Sequence, residues 1–423
     1  MPLPVRSSLP VVQNWDCHQS GSCCKQYEIA VTEEERRRIE TQGWANEPDL
    51  RGAPLFRIHG PPWARQYHLN QRPDGSCVFL SAEGRCRIHE RFGAAAKPMP
   101  CRLYPFILVP AGDHYRVSVR FACPSAAENK GRALAAHDSE LRDFAALLER
   151  REGVTKPGAA KVPPPPLQGR QRVEWPDLLR FVEALQKLLR NRADRVERRL
   201  RKCLALANLC RQAKFDTVTG RRIGELLDLL LAGVEGEVPA DPAAVAPPGW
   251  TGRLLFRQAL ALYARKDHGP NRGPATFGRL SLLGAAWRYA RGRGEVPRLH
   301  ARAPATTFEK AEQPAGALPT DAEELLERYY LIKVGSVQFC GVTNFHMPFW
   351  EGLESLLLTY PVLMWLRRGL ADLPPAAALA RALTIVDDNF GYHPVLGSTR
   401  QRFALHVLAR TGELERLIAW YSR

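Results

Sequence analysis

Asp16-Cys17-His18-Gln19-Ser20-Gly21-Ser22-Cys23-Cys24 opens a run of cysteines that decides how this chain is read. Cys77, Cys86, Cys101 and Cys123 complete it, so seven of the ten cysteines lie between Cys17 and Cys123. The other three, Cys203, Cys210 and Cys340, are scattered over the rest of the 423 residues. A rare residue gathered in this way serves disulfides, a metal or redox chemistry. The opening MPLPVRSSLP lacks a charged segment followed by an apolar one, so no export signal is expected and the compartment is read as the cytoplasm. In that reducing setting grouped cysteines bind metal more often than they pair. An odd number would also leave one thiol over.

The neighbours of each cysteine point the same way. Pro73-Asp74-Gly75-Ser76-Cys77 is a turn that presents a thiol, and Gly84-Arg85-Cys86-Arg87-Ile88-His89 repeats the device. Met99-Pro100-Cys101-Arg102 and Phe121-Ala122-Cys123-Pro124 follow. Core cysteines sit inside apolar runs instead. Arg85, Arg87 and Arg102 stand where they favour ionised thiols. All seven cysteines are therefore candidate metal ligands, with His18 and His89 as possible imidazole donors. A closed zinc site takes four such ligands. An iron–sulfur cluster takes four thiolates, and the Cys123-Pro124 pair is familiar from ferredoxin-type sites. The reading favours an iron–sulfur cluster, with zinc as the alternative; the absence of any Cys-x2-Cys pair weakens an ordinary zinc ribbon. Cys23 and Cys24 would point apart in an extended backbone, which predicts that one of them does not ligate.

The order Cys-x5-Cys-Cys, then Cys-x8-Cys-x-Ile-His, then Pro-Cys-Arg-x-Tyr-Pro-Phe resembles the YkgJ-type cysteine-cluster family, described as zinc- or iron-chelating and related to flagellin lysine N-methylases. The resemblance covers about residues 15–125. Ser20 stands where the family's first motif carries its second cysteine, so the full ligand set of the family does not transfer. The C-terminal piece Tyr329–His393 is similar in pattern to the tail of the methylase-like proteins. The resemblance implies methyl transfer from S-adenosylmethionine to lysines of a protein such as flagellin. A lysine nucleophile needs a base or a desolvated pocket, and Tyr104, Tyr329, Tyr330, His346, Asp387, Asp388 and His393 are the side chains proposed to face one. Each also has a plainer role: the tyrosines as core, the histidines as packed loop residues, the aspartates as caps or arginine partners. Gly335 to Gly341 lacks the spacing and strand context of a nucleotide-binding turn.

The fold expected is mainly α. A small α+β cysteine-cluster domain with metal-fixed loops occupies 1–150, a Pro-rich linker 151–176, a helical region 177–292, a loop 293–319 and a C-terminal helical region 320–423. Thr32 and Glu35 form a capping box whose helix braces the first cysteine loop, and Thr320 with Glu323 reads as a second. Phe106 to Val119 reads as a hairpin with His114 solvated at its turn. Cys203 and Cys210, among Leu204, Leu206 and Leu209, read as core. Pro361 is expected to kink its helix.

A net charge of +16 suits nucleic acid, an acidic protein or a membrane surface. Abundant Arg, Ala and Pro follow equally from a GC-rich genome, so the charge carries little. The run Arg190–Lys202, with Asp194 and Glu197 interleaved, reads as a solvated, self-paired helix face ahead of a nucleic-acid surface. No run of eighteen apolar residues exists to span a membrane.

Overall fold

A computed structural model describes residues 4–423 except 8, 10, 26, 62, 152–161, 214, 216, 217 and 268. The part of the expected linker over 152–161 lies outside the described residues. The architecture is mainly α, with short strands confined to an N-terminal region.

That region carries β1 (Val5–Arg6), β2 (Asn14–Trp15), β3 (Ala30–Val31), α1 (Glu33–Glu40), β4 (Phe56–His59), β5 (Gln66–Leu69), α2 (Arg87–Phe92), α3 (Met99–Leu103), β6 (Phe106–Pro110), β7 (Tyr115–Val119), α4 (Pro124–Ala127), β8 (Arg132–Ala133) and α5 (Asp138–Arg151). Strand β5 pairs antiparallel with both β3 and β4. Strands β6 and β7 form the expected hairpin, with Leu108 opposite Val117, and β1 runs parallel beside β7. His114 is not solvated. It is 2% exposed, with Nδ1 2.7 Å from the Asp113 carboxylate, because the turn lies next to the added strand β1.

Helix α1 starts as predicted. Thr32 Oγ1 accepts from the Glu35 amide at 3.1 Å, and Glu35 returns the bond to the Thr32 amide at 2.8 Å. The same Glu35 carboxylate accepts from the Met99 amide at 2.6 Å. One acidic side chain thus caps α1 and fixes the start of α3, which carries Cys101; the brace falls on that turn rather than on the expected first cysteine loop.

The helical region comprises α6 (Trp175–Leu189), α7 (Val196–Gln212), α8 (Arg221–Glu237), α9 (Trp250–Tyr263), α10 (Arg279–Arg291), α11 (Phe308–Glu312), α12 (Thr320–Gly335), α13 (Phe349–Gly369), α14 (Pro375–Asn389), α15 (Thr399–Arg410) and α16 (Glu413–Tyr421). Helix α11 falls in the stretch expected to be loop. Helix α13 runs on through Pro361 and is buried on all sides, as a helix apolar all round must be. It packs against α14, α16 and α11. The second capping box does not form. Pro319 is the N-cap of α12, and Glu323 accepts instead from the Val196 amide at 2.8 Å, capping α7.

The basic run is exposed as expected at Arg190, Arg192 and Arg195, whereas its part on α7 is largely buried and pairs with other helices as well as with its own. Arg199 meets Glu327, Arg201 meets Glu197, and Lys202 meets Asp194 and Glu235, with all three cations buried. Charges already paired in the interior are not available to phosphates.

Two apolar cores result. The larger takes in Trp15, Phe106, Val117, Phe121 and Phe144 together with the helices as far as Leu417 and Tyr421. The smaller has nine buried members, among them Val31, Ile39, Trp44, Phe79 and Ile88, with Cys77 in its wall. The hairpin and α5 therefore share the core of the helices, while the segment around β3–β5 and α2 keeps a small core of its own. A core that small rarely supplies more than about 3–5 kcal/mol and usually needs a cross-link.

Candidate metal centre

Six short segments bring the seven cysteines forward. Cys17 follows β2, and Cys23 and Cys24 lie in one 3-10 turn. Cys77 leaves a turn in which Asp74 accepts from the Ser76 amide at 2.9 Å. Cys86 and Cys123 are the N-cap residues of α2 and α4, and Cys101 sits inside α3. Backbone contacts fix these segments to one another. The Cys77 amide donates to the Cys24 carbonyl at 2.8 Å. Gly21, at φ +66°, lies so close to Gly84 that a Cβ would stand 2.5 Å from its carbonyl oxygen. Only glycine suits that crossing.

Two adjoining cavities, of about 50 and 250 Å³, collect the thiols. The smaller is lined by Cys17, Cys23, Cys24, Cys86, Cys101 and Cys123. The larger is lined by Cys23, Cys24, Cys77, Cys86 and Cys101. Cys23, Cys24, Cys86 and Cys101 are common to both. His18, Ser20 and His89 line the smaller cavity, and His89 Nδ1 is buried without a hydrogen-bond partner. Cys203, Cys210 and Cys340 are buried elsewhere, the first two in the core as expected. The predicted divergence of Cys23 and Cys24 does not occur. Their sulfurs are 4.0 Å apart, because a 3-10 turn rotates neighbours by about a third of a circle rather than the half circle of a strand.

The electrostatics favour thiolates at two positions. The Cys24 thiol lies between Cys23 and Cys86, and its hydrogen bonds bring Cys23 down to about 7 and Cys86 down to about 6, with Lys97 adding to both. Cys24 rises as the donor to both. Burial pushes Cys77 up to about 12 and raises Cys101 and Cys123. Lys97 is 7% exposed and lines both cavities. Burial alone would lower its ammonium, but Cys17, Cys101, Cys23 and Cys86 outweigh that and raise it. No carboxylate lies within ion-pair distance of it among the described residues, so the thiols are its counter-charge. Sequence reading missed Lys97; its one signal was a lysine in the proline turn ahead of Cys101.

Among the described residues no three His, Cys, Asp or Glu groups are already drawn in to ligand spacing. The donor set nevertheless fits a metal. Seven thiols and an unpartnered imidazole converge, and a buried cation offsets the charge that thiolates bring.

A second group joins this centre to the helices. Tyr27 donates to Asp388 Oδ1 at 2.8 Å, and Arg120 Nη2 lies 3.5 Å from the same atom. Lys266 Nζ reaches Asp388 Oδ2 at 2.5 Å. Asp387 pairs with Lys333 at 2.7 Å and accepts from the amides of Phe121 and Ala122, just before Cys123. Arg120 and Tyr27 both line the larger cysteine cavity, and the Tyr27 and Tyr104 rings meet at 5.4 Å, tilted by 52°. The side chains proposed to share a methyl-transfer pocket do not share one. Tyr104 lines the cysteine cavities, Tyr329 and Tyr330 are core, and the two aspartates are consumed by ion pairs. His346 is exposed, and His393 accepts from the Val395 amide.

Together these features define a cysteine-lined, metal-binding type of site docked on a helical body. Residues 16–129 match the family model CxxCxxCC, described as "Putative zinc- or iron-chelating domain". No curated protein matches the chain significantly, and neither does any solved structure.

Proposed function

We propose that residues 16–129 hold a metal through cysteine thiolates, with Cys23, Cys24, Cys86 and Cys101 as the central donors. The observation that supports this is the convergence of all seven cysteines on two adjoining cavities around a buried lysine. Cys17, Cys77, Cys123 and His89 line the same cavities and would complete or replace a donor. We favour an iron–sulfur cluster because thiols far outnumber imidazoles at the centre, with zinc as the alternative. Such a cluster would supply one-electron chemistry, and zinc a structural cross-link. Either would tether the small core of β3–β5 and α2 to α3 and α4. Methyl transfer from S-adenosylmethionine to lysines of flagellin or another protein is not part of this proposal, since the side chains advanced for it are dispersed or already paired.

The test is metal content and visible absorption of protein purified without oxygen. Iron with sulfide and a broad visible band are the expected result. Stoichiometric zinc in a colourless protein would keep the thiolate centre and replace the cluster. A chain that carries neither metal would overturn the proposal.

A further inference from the structure

Helix α4 has two sides. Cys123, its N-cap, lines the smaller cysteine cavity, whereas Pro124 and Ala127 line a separate cavity of about 680 Å³ between α4, α12 and α14. That volume is in the range of small-molecule sites. Leu325, Leu373, Ala376, Ala377 and Ala380 give it an apolar wall. Three arginines, Arg302, Arg328 and Arg381, line it as well.

The charges do not cancel. Lys130 and Glu128, also in the wall, pair with each other. Asp321 accepts from the Ala322 amide of its own helix. None of the three arginines has a carboxylate within ion-pair distance among the described residues. Arg328 is 9% exposed; it donates through Nη2 to the Ala127 carbonyl, and its Nε has no partner. Arg381 Nε donates to the carbonyl of Arg302 at 3.2 Å, which ties the two segments together and holds two like charges near each other. Burial and the Arg381 charge both lower Arg302, and burial lowers Arg328 to about 10, still protonated at neutral pH. Asp388 is near Arg302 but is already held by Lys266, Arg120 and Tyr27. One buried and two half-buried forked cations with no carboxylate in ion-pair contact are matched by an oxyanion, which guanidinium groups grip through paired hydrogen bonds.

We infer that the cavity between α4, α12 and α14 binds a small organic anion, with its phosphate or carboxylate head on Arg302, Arg328 and Arg381 and an apolar body against Leu325 and the alanines of α14. The inference makes no use of the cysteine centre and stands or falls separately from it.

Calorimetry on the full chain as purified tests it with phenyl phosphate, benzoate and, as the uncharged control, benzyl alcohol. One or both anions should bind saturably at one per chain, and their ranking identifies the head group. R302Q and R381Q should each weaken binding by at least about tenfold, or about 1.4 kcal/mol, with metal content unchanged. Absence of saturable binding by both anions would overturn the inference. So would equal binding by benzyl alcohol, or variants that bind as well as the parent. Should the variants fail to fold, hydrogen exchange of the unmodified protein decides. Protection by the bound anion must fall on Thr320–Gly335 and Pro375–Asn389, and protection confined to other helices would refute the site.

Discussion

Exchanging single cysteines separates the two classes of thiol. Cys86→Ser removes a donor common to both cavities, and its bound metal should be lost on gel filtration. Cys203→Ala lies in the large core and should keep its metal while losing about 1 kcal/mol of stability to the smaller side chain. Metal analysis beside a denaturant titration reads both. His300 offers a second test at this scale. Burial pulls it down to about 3, and its Nδ1 accepts from the Arg302 amide at 3.0 Å. The folded chain therefore resists a proton that the unfolded chain takes up below about pH 6.5. Its contribution is complete above that pH and is lost as pH falls toward 3, at no more than about 1.4 kcal/mol per pH unit. His300→Phe should flatten that part of the stability–pH curve; a curve of unchanged slope would show that His300 is not the group responsible. The turn residues around each thiol made the cysteine set legible, because turn chemistry is local. Lys97, His300 and His114 gave no comparable sign, since each owes its burial to segments distant in the chain.

At the scale of elements, caps and close approaches carry the argument. Thr32→Ala removes one cap hydrogen bond and should cost about 1 kcal/mol. Glu35→Ala should cost more and also loosen Cys101, because Glu35 serves the Met99 amide too. Gly21→Ala must push the first cysteine loop off Gly84, so metal binding should fall although the helices are untouched; circular dichroism beside metal analysis distinguishes the two effects. The helices from α6 through α16 were readable from their apolar spacing, except α11, which falls in the stretch read as loop. The second capping box was not, because Thr320 and Glu323 satisfy the local pattern while Glu323 is drawn to the amide end of α7 instead. The basic face of α7 failed for a similar reason. Its pairing was visible at intervals of four, but Glu327 and Glu235, which complete its burial, come from other helices.

For the whole molecule, the two cores predict uneven stability. Stripping the metal with a chelator should release the small core around β3–β5 and α2 while the helical body persists. Hydrogen exchange should then show protection lost over about residues 29–96 and retained in α12–α14; loss of protection throughout would mean that the two cores fold as one unit. Asp388 links them, with Tyr27 on one side and Lys266 on the other. Asp388→Ala leaves Arg120 and Lys266 without their shared partner, and breaking a buried pair of this kind costs about 3–5 kcal/mol. Local sequence determined which cysteines are clustered, where most of the turns and helices fall, and that the chain is mainly α with a small mixed N-terminal region. Those properties rest on spacing and turn chemistry within a few residues. Tertiary structure alone decided that the cysteines share two cavities, that Lys97 lies among them, and that three arginines line one cavity with no carboxylate in ion-pair contact among the described residues. Such juxtapositions join residues as far apart as Tyr27 and Asp388, separated by 361 positions. No local pattern records them, because they arise only when separate elements bury their apolar faces against one another.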